Sequence, residues 1–201
     1  MNVLFDFDDT IYDGDSMIDF YKYCLRTKPS LLRYFPYQLW HAVLFLLSLE
    51  DRTTFKGHFL VFLRGVNTLD EYVIDFWKKH ESDIKPWYVA RDHTNDVIVS
   101  ASPEFLLKPI AKKLGVQELV ATRVDGNSGS VKGRNCYGLE KVLRIKEVLP
   151  DIVVREAYTD SLSDAPILEM AQHKYIVKGD RIMALEDFIM ISRLNRLLGR
   201  F

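Results

Sequence analysis

Short apolar segments alternate along the chain with segments that show a helical pattern. Strand-like runs of apolar and β-branched residues occupy 2–5, 96–100, 152–158 and 175–177. Apolar residues recur at three- and four-residue spacing over 103–114, 138–149 and 163–171. Strands and helices that alternate at this length predict an α/β fold, a doubly wound parallel sheet with functional sites at the carboxyl ends of its strands.

A long helical segment separates the first predicted strand from the second. Helical patterns cover 16–27, 30–49, 52–64 and 68–81, and no convincing strand pattern lies among them. This arrangement predicts a small helical cap domain inserted into the sheet domain. We expect the catalytic core to comprise residues 1–14 and 86–201, and the cap to comprise residues 15–85.

The composition is that of a folded protein without a polyanionic partner. Of the 201 residues, 48% are hydrophobic and 27% are charged, and the formal net charge at pH 7 is -1. Nucleic-acid-binding domains usually carry an excess of basic residues, so we expect no nucleic-acid partner. The two cysteines form no metal-binding or redox spacing, and Asp6 comes too early for a secretory signal, so we expect a cytoplasmic protein.

The most hydrophobic stretch, residues 34–49, has two open interpretations. It carries no Asp, Glu, Lys or Arg, but it is shorter than the ~18 to 20 apolar residues of a membrane-spanning helix. Its aromatic side chains can pack in the core of a four-helix cap, or they can rest on a membrane surface and admit a lipid tail. A peripheral location at the membrane therefore stays open beside a purely cytoplasmic one.

Three acidic residues follow directly on the first predicted strand. Asp6, Asp8 and Asp9 lie in the pentapeptide Asp-Phe-Asp-Asp-Thr, which ends with Thr10. Two like charges about 4 Å apart repel by roughly 4 kcal/mol at an effective dielectric constant near 20. The crowding therefore indicates that a hard cation with oxygen ligands, or a proton, holds the carboxylates together. A solvated turn rich in Asp is the alternative interpretation.

A second acidic pair, Asp160 and Asp164, lies at the junction between the strand over 152–158 and the helix that follows it. Taken alone, the pair is typical of helix capping, because Asp satisfies free backbone N–H groups at a helix start. However, the carboxyl ends of parallel strands open on one edge of a sheet. Both acidic clusters can therefore converge on one cation.

Ser100 and Lys141 are candidates for binding an anion at the same edge. Ser100 closes the strand over 96–100, and the backbone amides that follow it, beginning with Ala101, lie at a predicted helix start that can face an anion. A capping serine is an equally good interpretation. Lys141 lies in the first turn of the helix over 138–149, where a solvated surface lysine is the alternative.

The order and spacing of these residues resemble the four motifs of the haloacid dehalogenase superfamily of phosphohydrolases. The motifs are Asp6-x-Asp8-x-Thr10, Ser100, Lys141 and Asp160-x-x-x-Asp164. A helical insertion directly after the first motif is similar to the cap of the subgroup that contains phosphoserine phosphatase. Residues 135–141 and 159–173 resemble bacterial phosphatidylglycerophosphatases of the same fold. The resemblance implies a Rossmannoid core, a helical cap and Mg²⁺ as the cofactor.

The resemblance also implies the roles of the first motif. Asp6 would be the nucleophile, would carry the aspartyl-phosphate intermediate and would bind the metal. Asp8 would act as general acid and then as general base, and its backbone carbonyl would bind the metal. Thr10 would help to orient Asp8. Splitting a very slow hydrolysis into two steps with a positioned acid and base lowers the barrier of each step.

The remaining motifs would bind the phosphoryl group and complete the metal site. Ser100 and Ala101 would bind the transferring phosphoryl group, and Lys141 would balance the charge of the nucleophile and the phosphate. Asp160 would complete the metal shell, and Asp164 would hold a metal-bound water.

Three positions depart from the usual superfamily pattern. Asp9 stands where glycine or serine is frequent, and Thr159 stands where glycine is common. Lys141 lies in a Gly-x-x-Lys setting and not in the Lys-Gly setting of phosphoserine phosphatase. The last departure leaves Lys132 and Lys146 as lesser candidates for the cationic role.

The sequence leaves three functional classes open. These are a phosphatase acting on a small, phosphoserine-like phosphomonoester or on a lipid phosphate, a phosphotransferase, and a catalytically silent binding protein. Asp15 lies where phosphoserine phosphatase has an acid that reads the amine of its substrate, but helix capping explains this residue equally well. We expect a small-molecule or lipid phosphomonoester as the binding partner, and peripheral membrane contact through the cap stays open as an alternative to packing of the cap. The oligomeric state is not predicted.

Overall fold

The structure, a computed structural model, describes residues 1–197, except for the side chains of Asn195 and Leu197. The last four residues of the predicted core range 86–201 therefore lie outside the described residues. A six-stranded sheet with the order β3-β2-β1-β4-β5-β6 forms the centre of the fold. Its strands are β1 (Asn2–Phe5), β2 (Asp96–Pro103), β3 (Glu118–Thr122), β4 (Val154–Thr159), β5 (Ala171–Lys178) and β6 (Arg181–Ala184).

Five of the six strands run parallel, and β6 pairs antiparallel with β5 at one edge. The predicted α/β class with a parallel sheet is confirmed, and β6 adds one antiparallel strand at the edge of that sheet. A tight turn through Gly179, whose φ is +56°, connects β5 to β6 directly. A connection this short permits only antiparallel pairing, because a parallel strand needs a crossover of a dozen or more residues.

Helices cover both faces of the sheet, and the side chains of β1 alternate between them. Val3 and Phe5 pack in a hydrophobic cluster on one face, and Leu4 packs in a second cluster on the other face. All three side chains are at most 2% exposed. A strand buried on both faces reads as a continuous apolar run, as β1 does. The helices after β2 are α6 (Glu104–Leu114), α7 (Leu139–Val148), α8 (Ala165–Leu168) and α9 (Leu185–Leu197).

The segment between β1 and β2 is helical throughout its regular part. It contains α1 (Ser16–Thr27), α2 (Phe35–Leu46), α3 (Arg52–Phe59), α4 (Leu69–His80) and α5 (Pro86–Val89), together with 3₁₀ turns at Pro29–Tyr34, Leu60–Gly65 and Glu81–Asp83. The buried side chains of Phe20, Phe62 and Phe76 belong to the same cluster as Phe5 of β1. The helical segment therefore packs directly on one face of the sheet.

Most apolar side chains of residues 34–49 are exposed. Trp40 is 61% exposed and Leu46 is 80% exposed, and in α2 only Gln38 is buried. Of the two interpretations of this stretch, packing in a helical core does not describe most of it. Among the described residues, no helix is long and apolar enough to cross a membrane.

Three elements differ from the sequence prediction. The helix expected over 163–171 is the single turn α8, because β5 begins at Ala171, four residues before its predicted start. The edge strands β3 and β6 were not predicted, since each is short and only one of its sides pairs with another strand. The four helical patterns predicted between β1 and β2 correspond to α1, to α2 and α3 with their adjoining 3₁₀ turns, and to α4.

Candidate active site

The predicted site residues come from three neighbouring strands. In the sheet, β1 lies between β2 and β4, so the carboxyl ends of the three strands are side by side. Asp6 directly follows β1, and Asp160 directly follows β4. Ser100 lies within β2, at a point where the pairing with β3 shifts register. This arrangement places all three residues at the edge of the sheet that is formed by the carboxyl ends of its parallel strands.

A buried lysine joins two of the predicted carboxylates. Lys141 Nζ lies 2.7 Å from Asp6 Oδ1 and 2.5 Å from Asp164 Oδ2, and the lysine side chain is only 2% exposed. The Thr159 hydroxyl donates a further hydrogen bond of 3.2 Å to Asp164. Lys141 lies in the first turn of α7, where its backbone N–H donates a hydrogen bond to the carbonyl of Gly138. The alternative interpretation, that Lys141 is a solvated surface lysine, is therefore wrong.

Opposing electrostatic effects act on this triad. Burial disfavours the charged amine, but the neighbouring carboxylates of Asp6 and Asp164 raise the pKa of Lys141 above its usual value. Burial raises the pKa of Asp6, an effect that the ion pair with Lys141 partly offsets. Lys141 therefore stays protonated near neutral pH and stabilises the ionised form of the Asp6 carboxylate.

Asp8 has a different environment from Asp6. Its Oδ1 accepts a 2.7 Å hydrogen bond from the backbone N–H of Ser16, and its Oδ2 accepts one of 2.6 Å from the hydroxyl of Ser102. Burial, with a smaller repulsion from Asp15, raises the pKa of Asp8 to about 7. Asp6 and Asp8 therefore differ in their electrostatic environment. Asp6 is ion-paired with Lys141, whereas Asp8 can hold a proton near neutral pH.

The structure explains the departure at Asp9. The backbone of Asp9 is left-handed, with φ of +55°, a conformation that glycine adopts freely and that Asp and Asn tolerate better than other residues. The buried amine of Lys85 donates to the Asp9 carbonyl at 2.6 Å and to the Gly179 carbonyl at 2.8 Å. This lysine fixes the backbone of the acidic loop against the turn after β5.

Thr10 contacts a different acid from the one expected. Its buried hydroxyl lies 3.5 Å from Asp6 Oδ2, a long hydrogen bond, and not beside the carboxylate of Asp8. The predicted orienting contact with Asp8 is made instead by Ser16 and Ser102. Sequence reasoning did not identify either serine, because each comes from a different element and is close to Asp8 only in the folded chain.

Ser100 and Ala101 lie beside the acidic loop. Ser100 is fully buried, and its hydroxyl oxygen accepts a 3.0 Å hydrogen bond from the backbone N–H of Ser102. The carbonyl of Ala101 accepts hydrogen bonds of 2.6 Å from Lys56 Nζ and from the Thr122 hydroxyl. The carbonyl of Ala101 is therefore held by the protein, and its backbone amide stays a predicted phosphate-binding group.

Lys56 is a cation of the site that sequence reasoning missed. It belongs to α3 of the helical segment, and it is 8% exposed. Burial lowers the pKa of Lys56 to about 8, although the nearby carboxylates of Asp8 and Asp15 favour its charged form. The sequence did contain a signal that Lys56 is buried. It lies four residues before the buried Leu60, and this spacing places both residues on the side of the helix that faces the protein.

The structure decides between the alternative interpretations of Lys132, Lys146 and Asp15. Lys132 and Lys146 are both exposed, and Lys132 lies 3.6 Å from the carboxylate of Asp125. Asp15 caps α1, because its side chain accepts a 2.9 Å hydrogen bond from the backbone N–H of Ile18. The capping interpretation of Asp15 is confirmed, while its charge still acts on Asp8.

The donor set at the sheet edge fits a hard divalent cation. Burial and the neighbouring charges of Asp9 and Asp164 raise the pKa of Asp160, and the charge of Asp160 in turn disfavours ionised Asp6. Asp6, Asp160 and Asp164 contribute three carboxylates, whereas Lys141 supplies one buried positive charge. Carboxylate and carbonyl oxygens suit Mg²⁺, and a dication at this edge relieves the repulsion that remains.

Comparison with known proteins agrees with this architecture. A family model described as haloacid dehalogenase-like hydrolase matches residues 3–169. Protein CicA of Caulobacter vibrioides is 40% identical over 84 residues, which cover 39% of this chain and 38% of CicA. The matched stretch thus spans about two fifths of the length of that relative.

Solved structures share the fold at low sequence identity. A protein of unknown function from Bordetella pertussis superposes with a TM-score of 0.70 at 24% identity, over 86% of this chain and 87% of the other. A probable phosphoserine phosphatase from Vibrio cholerae has a TM-score of 0.65 at 12% identity, over 100% of this chain and 67% of the other. The fold is therefore one that is also found in a probable phosphoserine phosphatase.

Proposed function

The chain belongs to the haloacid dehalogenase-like hydrolases, and from this membership we propose that it is a phosphatase that hydrolyses a phosphate monoester through an aspartyl-phosphate on Asp6. The observation that carries the proposal is the contrast between two neighbouring acids. Asp6 is ion-paired with Lys141 at 2.7 Å, while the pKa of Asp8 is about 7. A nucleophile must be ionised and a general acid must carry a proton. The ion pair with Lys141 favours the ionised form of Asp6 against the burial that raises its pKa, whereas burial favours the protonated form of Asp8.

In the first step, a carboxylate oxygen of Asp6 attacks phosphorus and the bond between phosphorus and the alcohol oxygen breaks. Asp8 gives its proton to the departing alcohol oxygen, which leaves Asp8 ionised and Asp6 phosphorylated. Lys141, which lies 2.7 Å from Asp6, would balance the charge of the transferring phosphoryl group, and the buried Ser100 hydroxyl would bind its oxygens.

In the second step, the ionised Asp8 takes a proton from a water molecule that attacks phosphorus. The bond between phosphorus and the Asp6 oxygen breaks, which restores the Asp6 carboxylate, and inorganic phosphate is released. Asp8 ends the cycle protonated, as it began. A pKa of about 7 suits both directions of proton transfer, since neither protonation state of Asp8 is rare near neutral pH.

Asp6, Asp160 and the backbone carbonyl of Asp8 would hold Mg²⁺, with Asp164 holding one of its water ligands. When bound, Mg²⁺ supplies charge neutralisation for the phosphoryl oxygens. The support is the excess of carboxylates over lysine at this edge of the sheet.

We place the choice of substrate in the helical segment, which would act as the cap over residues 15–85. Its Lys56 lies 2.6 Å from the Ala101 carbonyl, directly beside the predicted phosphate-binding residues. A cation there favours a substrate with a second acidic group close to its phosphate. The exposed aromatic and aliphatic side chains of residues 34–49 favour a lipid phosphate over a phosphoserine-like substrate, because they can rest on a membrane surface.

The proposal is tested by phosphate release from a panel of monoesters that includes phosphoserine and phosphatidylglycerophosphate. Wild type is compared with Asp6→Asn, and with Asp180→Asn as a control at an exposed acid. We expect activity that requires both Mg²⁺ and Asp6, and a labelled phosphoenzyme in acid-quenched wild type and Asp180→Asn but not in Asp6→Asn. Activity that survives Asp6→Asn would contradict the mechanism, and no turnover of any ester would favour a binding protein. A new ester formed on adding alcohols would identify a phosphotransferase.

A further inference from the structure

A cluster of metal-ligating side chains lies in the helical segment, apart from the catalytic acids. His41 of α2, Glu50 of the connection after it and His58 of α3 each direct one ligand atom to a common point, and these atoms lie within 4.8 Å of one another. Among the described residues, no other three His, Cys, Asp or Glu side chains meet this condition. The cluster joins the two helices of an antiparallel pair.

Glu50 has one paired oxygen and one unpaired oxygen. Its Oε1 lies 2.5 Å from His41 Nδ1, and its side chain is 11% exposed. The second oxygen, Oε2, is buried, and no group of the described residues donates a hydrogen bond to it. A buried carboxylate oxygen without a hydrogen-bond partner is destabilising, so a glutamate that serves only as a helix connector is better placed in solvent.

The rings of His41 and His58 are stacked, with centroids 3.6 Å apart. Two imidazolium rings at this distance would repel each other, so the stack disfavours a doubly charged pair. Burial and the neighbouring His41 lower the pKa of His58, which favours the neutral ring. Neutral imidazole is the form that binds metal ions.

Tyr37 provides outer support for His58. Its hydroxyl lies 2.6 Å from His58 Nδ1. When that nitrogen carries the ring proton and donates it to Tyr37, the lone pair of Nε2 is available. Histidines that bind metals usually donate their other ring N–H to an oxygen in this way, which fixes the tautomer and the orientation of the ring.

We propose that His41, Glu50 and His58 form a binding site for a divalent transition-metal ion of the zinc class. Two imidazoles and one carboxylate are a known ligand set for Zn²⁺, which takes a water molecule as its fourth ligand. Tetrahedral bonding to Zn²⁺ brings ligand atoms to about 3.3 Å from one another. The present ligand atoms lie within 4.8 Å of one another, so binding would require the side chains to adjust. Mg²⁺ prefers oxygen ligands, so the two sites of this protein would select different ions.

The metal would tie α2 to α3, and so act on the proposed cap. Lys56 lies in α3, two residues before His58, and reaches the Ala101 carbonyl beside the catalytic acids. A cross-link between the two helices restrains the rotation and translation of α3. The ion would in this way restrain Lys56, the residue that we place next to the substrate.

The test is Zn²⁺ binding to tag-free protein that has been treated with chelator. Zn²⁺ is titrated in competition with a chromophoric chelator, and Co²⁺ replaces it to report four-coordinate geometry by its visible absorption. We expect one ion per chain with a dissociation constant of about 1 µM or lower. His58→Gln and Glu50→Gln should each weaken binding at least tenfold. His173→Gln, at an exposed histidine of β5, is the matched control and should leave binding unchanged.

Thermal unfolding of the same proteins gives a second readout. Zn²⁺ should raise the midpoint of wild type and of His173→Gln, but not that of Glu50→Gln, since a ligand stabilises only a fold that binds it. Absence of saturable binding, or an equal loss of affinity in His173→Gln and His58→Gln, would overturn the proposal. If Glu50→Gln does not fold, His58→Gln carries the comparison. None of these readouts uses phosphatase activity, so the outcome is independent of the proposed function.

Discussion

Replacing Lys141 with methionine should destabilise the protein strongly at neutral pH. Methionine keeps most of the volume and the unbranched shape of the side chain but removes its charge. The lysine side chain is 2% exposed, and its partners Asp6 and Asp164 are 10% and 4% exposed at the side chain. Removing one member of a buried ion pair costs about 3–5 kcal/mol, because the remaining charge is left without compensation. Here two carboxylates lose the same cation.

The loss should depend on pH in a defined direction. In wild type, the pKa of Lys141 is raised on folding, so its contribution is fully present below its unfolded pKa and is constant between pH 5 and 8. In Lys141→Met, burial without the lysine raises the pKa values of Asp6 and Asp164 further above their unfolded values. A buried carboxyl group with a raised pKa destabilises the folded state least when it is protonated. The difference from wild type should therefore be largest at pH 8 and smaller at pH 5.

Denaturant unfolding at pH 5 and pH 8, in the presence of chelator, measures this effect. Lys146→Met is the matched control, because Lys146 is an exposed lysine of the same helix and should change stability by no more than about 0.5 kcal/mol. Adding Asp164→Asn to Lys141→Met should recover part of the loss, since it removes one uncompensated charge. A loss under about 1 kcal/mol, or one that is equal at both pH values, would refute the reasoning.

Three further predictions concern the acidic loop and the helical segment. Because the proton donor Asp8 has a pKa of about 7, kcat/KM should fall about tenfold per pH unit above that value, and Asp8→Asn should lack this limb of the pH profile. Lys56→Met should raise KM more than it lowers kcat, with partial rescue by Lys56→Arg, if the amine binds substrate; an equal loss in kcat would contradict this role. Asp9→Val should lower stability by about 1–2 kcal/mol because of its left-handed backbone, whereas Asp9→Gly should be close to wild type in denaturant unfolding.

The sequence predicts those strands and helices whose pattern of apolar residues can be recognised within the segment itself. The strand β1 was found from its continuous apolar run, because it is buried on both faces, and the helices α1 and α4 were found from apolar periodicity, because each buries one face. The edge strand β6 was missed, although the Gly179-Asp180 pair before it is a hairpin signal. Its four residues are exposed or half-buried, so they lack the apolar run of a buried strand, and its antiparallel pairing depends on the turn and not on its own composition.

The site was predictable where residues follow strands, and not where tertiary packing brings them in. Asp6 and Asp160 directly follow β1 and β4, and parallel strands open on one edge, so their proximity follows from the fold class. Lys56 reaches the site across 45 positions of sequence, through a contact with a backbone carbonyl. The spacing from Leu60 indicates that Lys56 faces the protein, but a carbonyl is present at every position, so no residue pattern marks which carbonyl the lysine contacts.

The start of α1 couples the helical segment to the proposed acid and base. The Ser16 backbone N–H donates to Asp8, and the Ser16 hydroxyl donates to Ser102, which itself donates to Asp8. Burial is the largest cause of the raised pKa of Asp8, and the two hydrogen bonds oppose it. Moving α1 away from β2 would break these bonds and hydrate the carboxyl, and hydration outweighs the lost bonds. The pKa of Asp8 would then fall, so a carboxyl protonated near neutral pH requires that the helical segment be packed on the sheet.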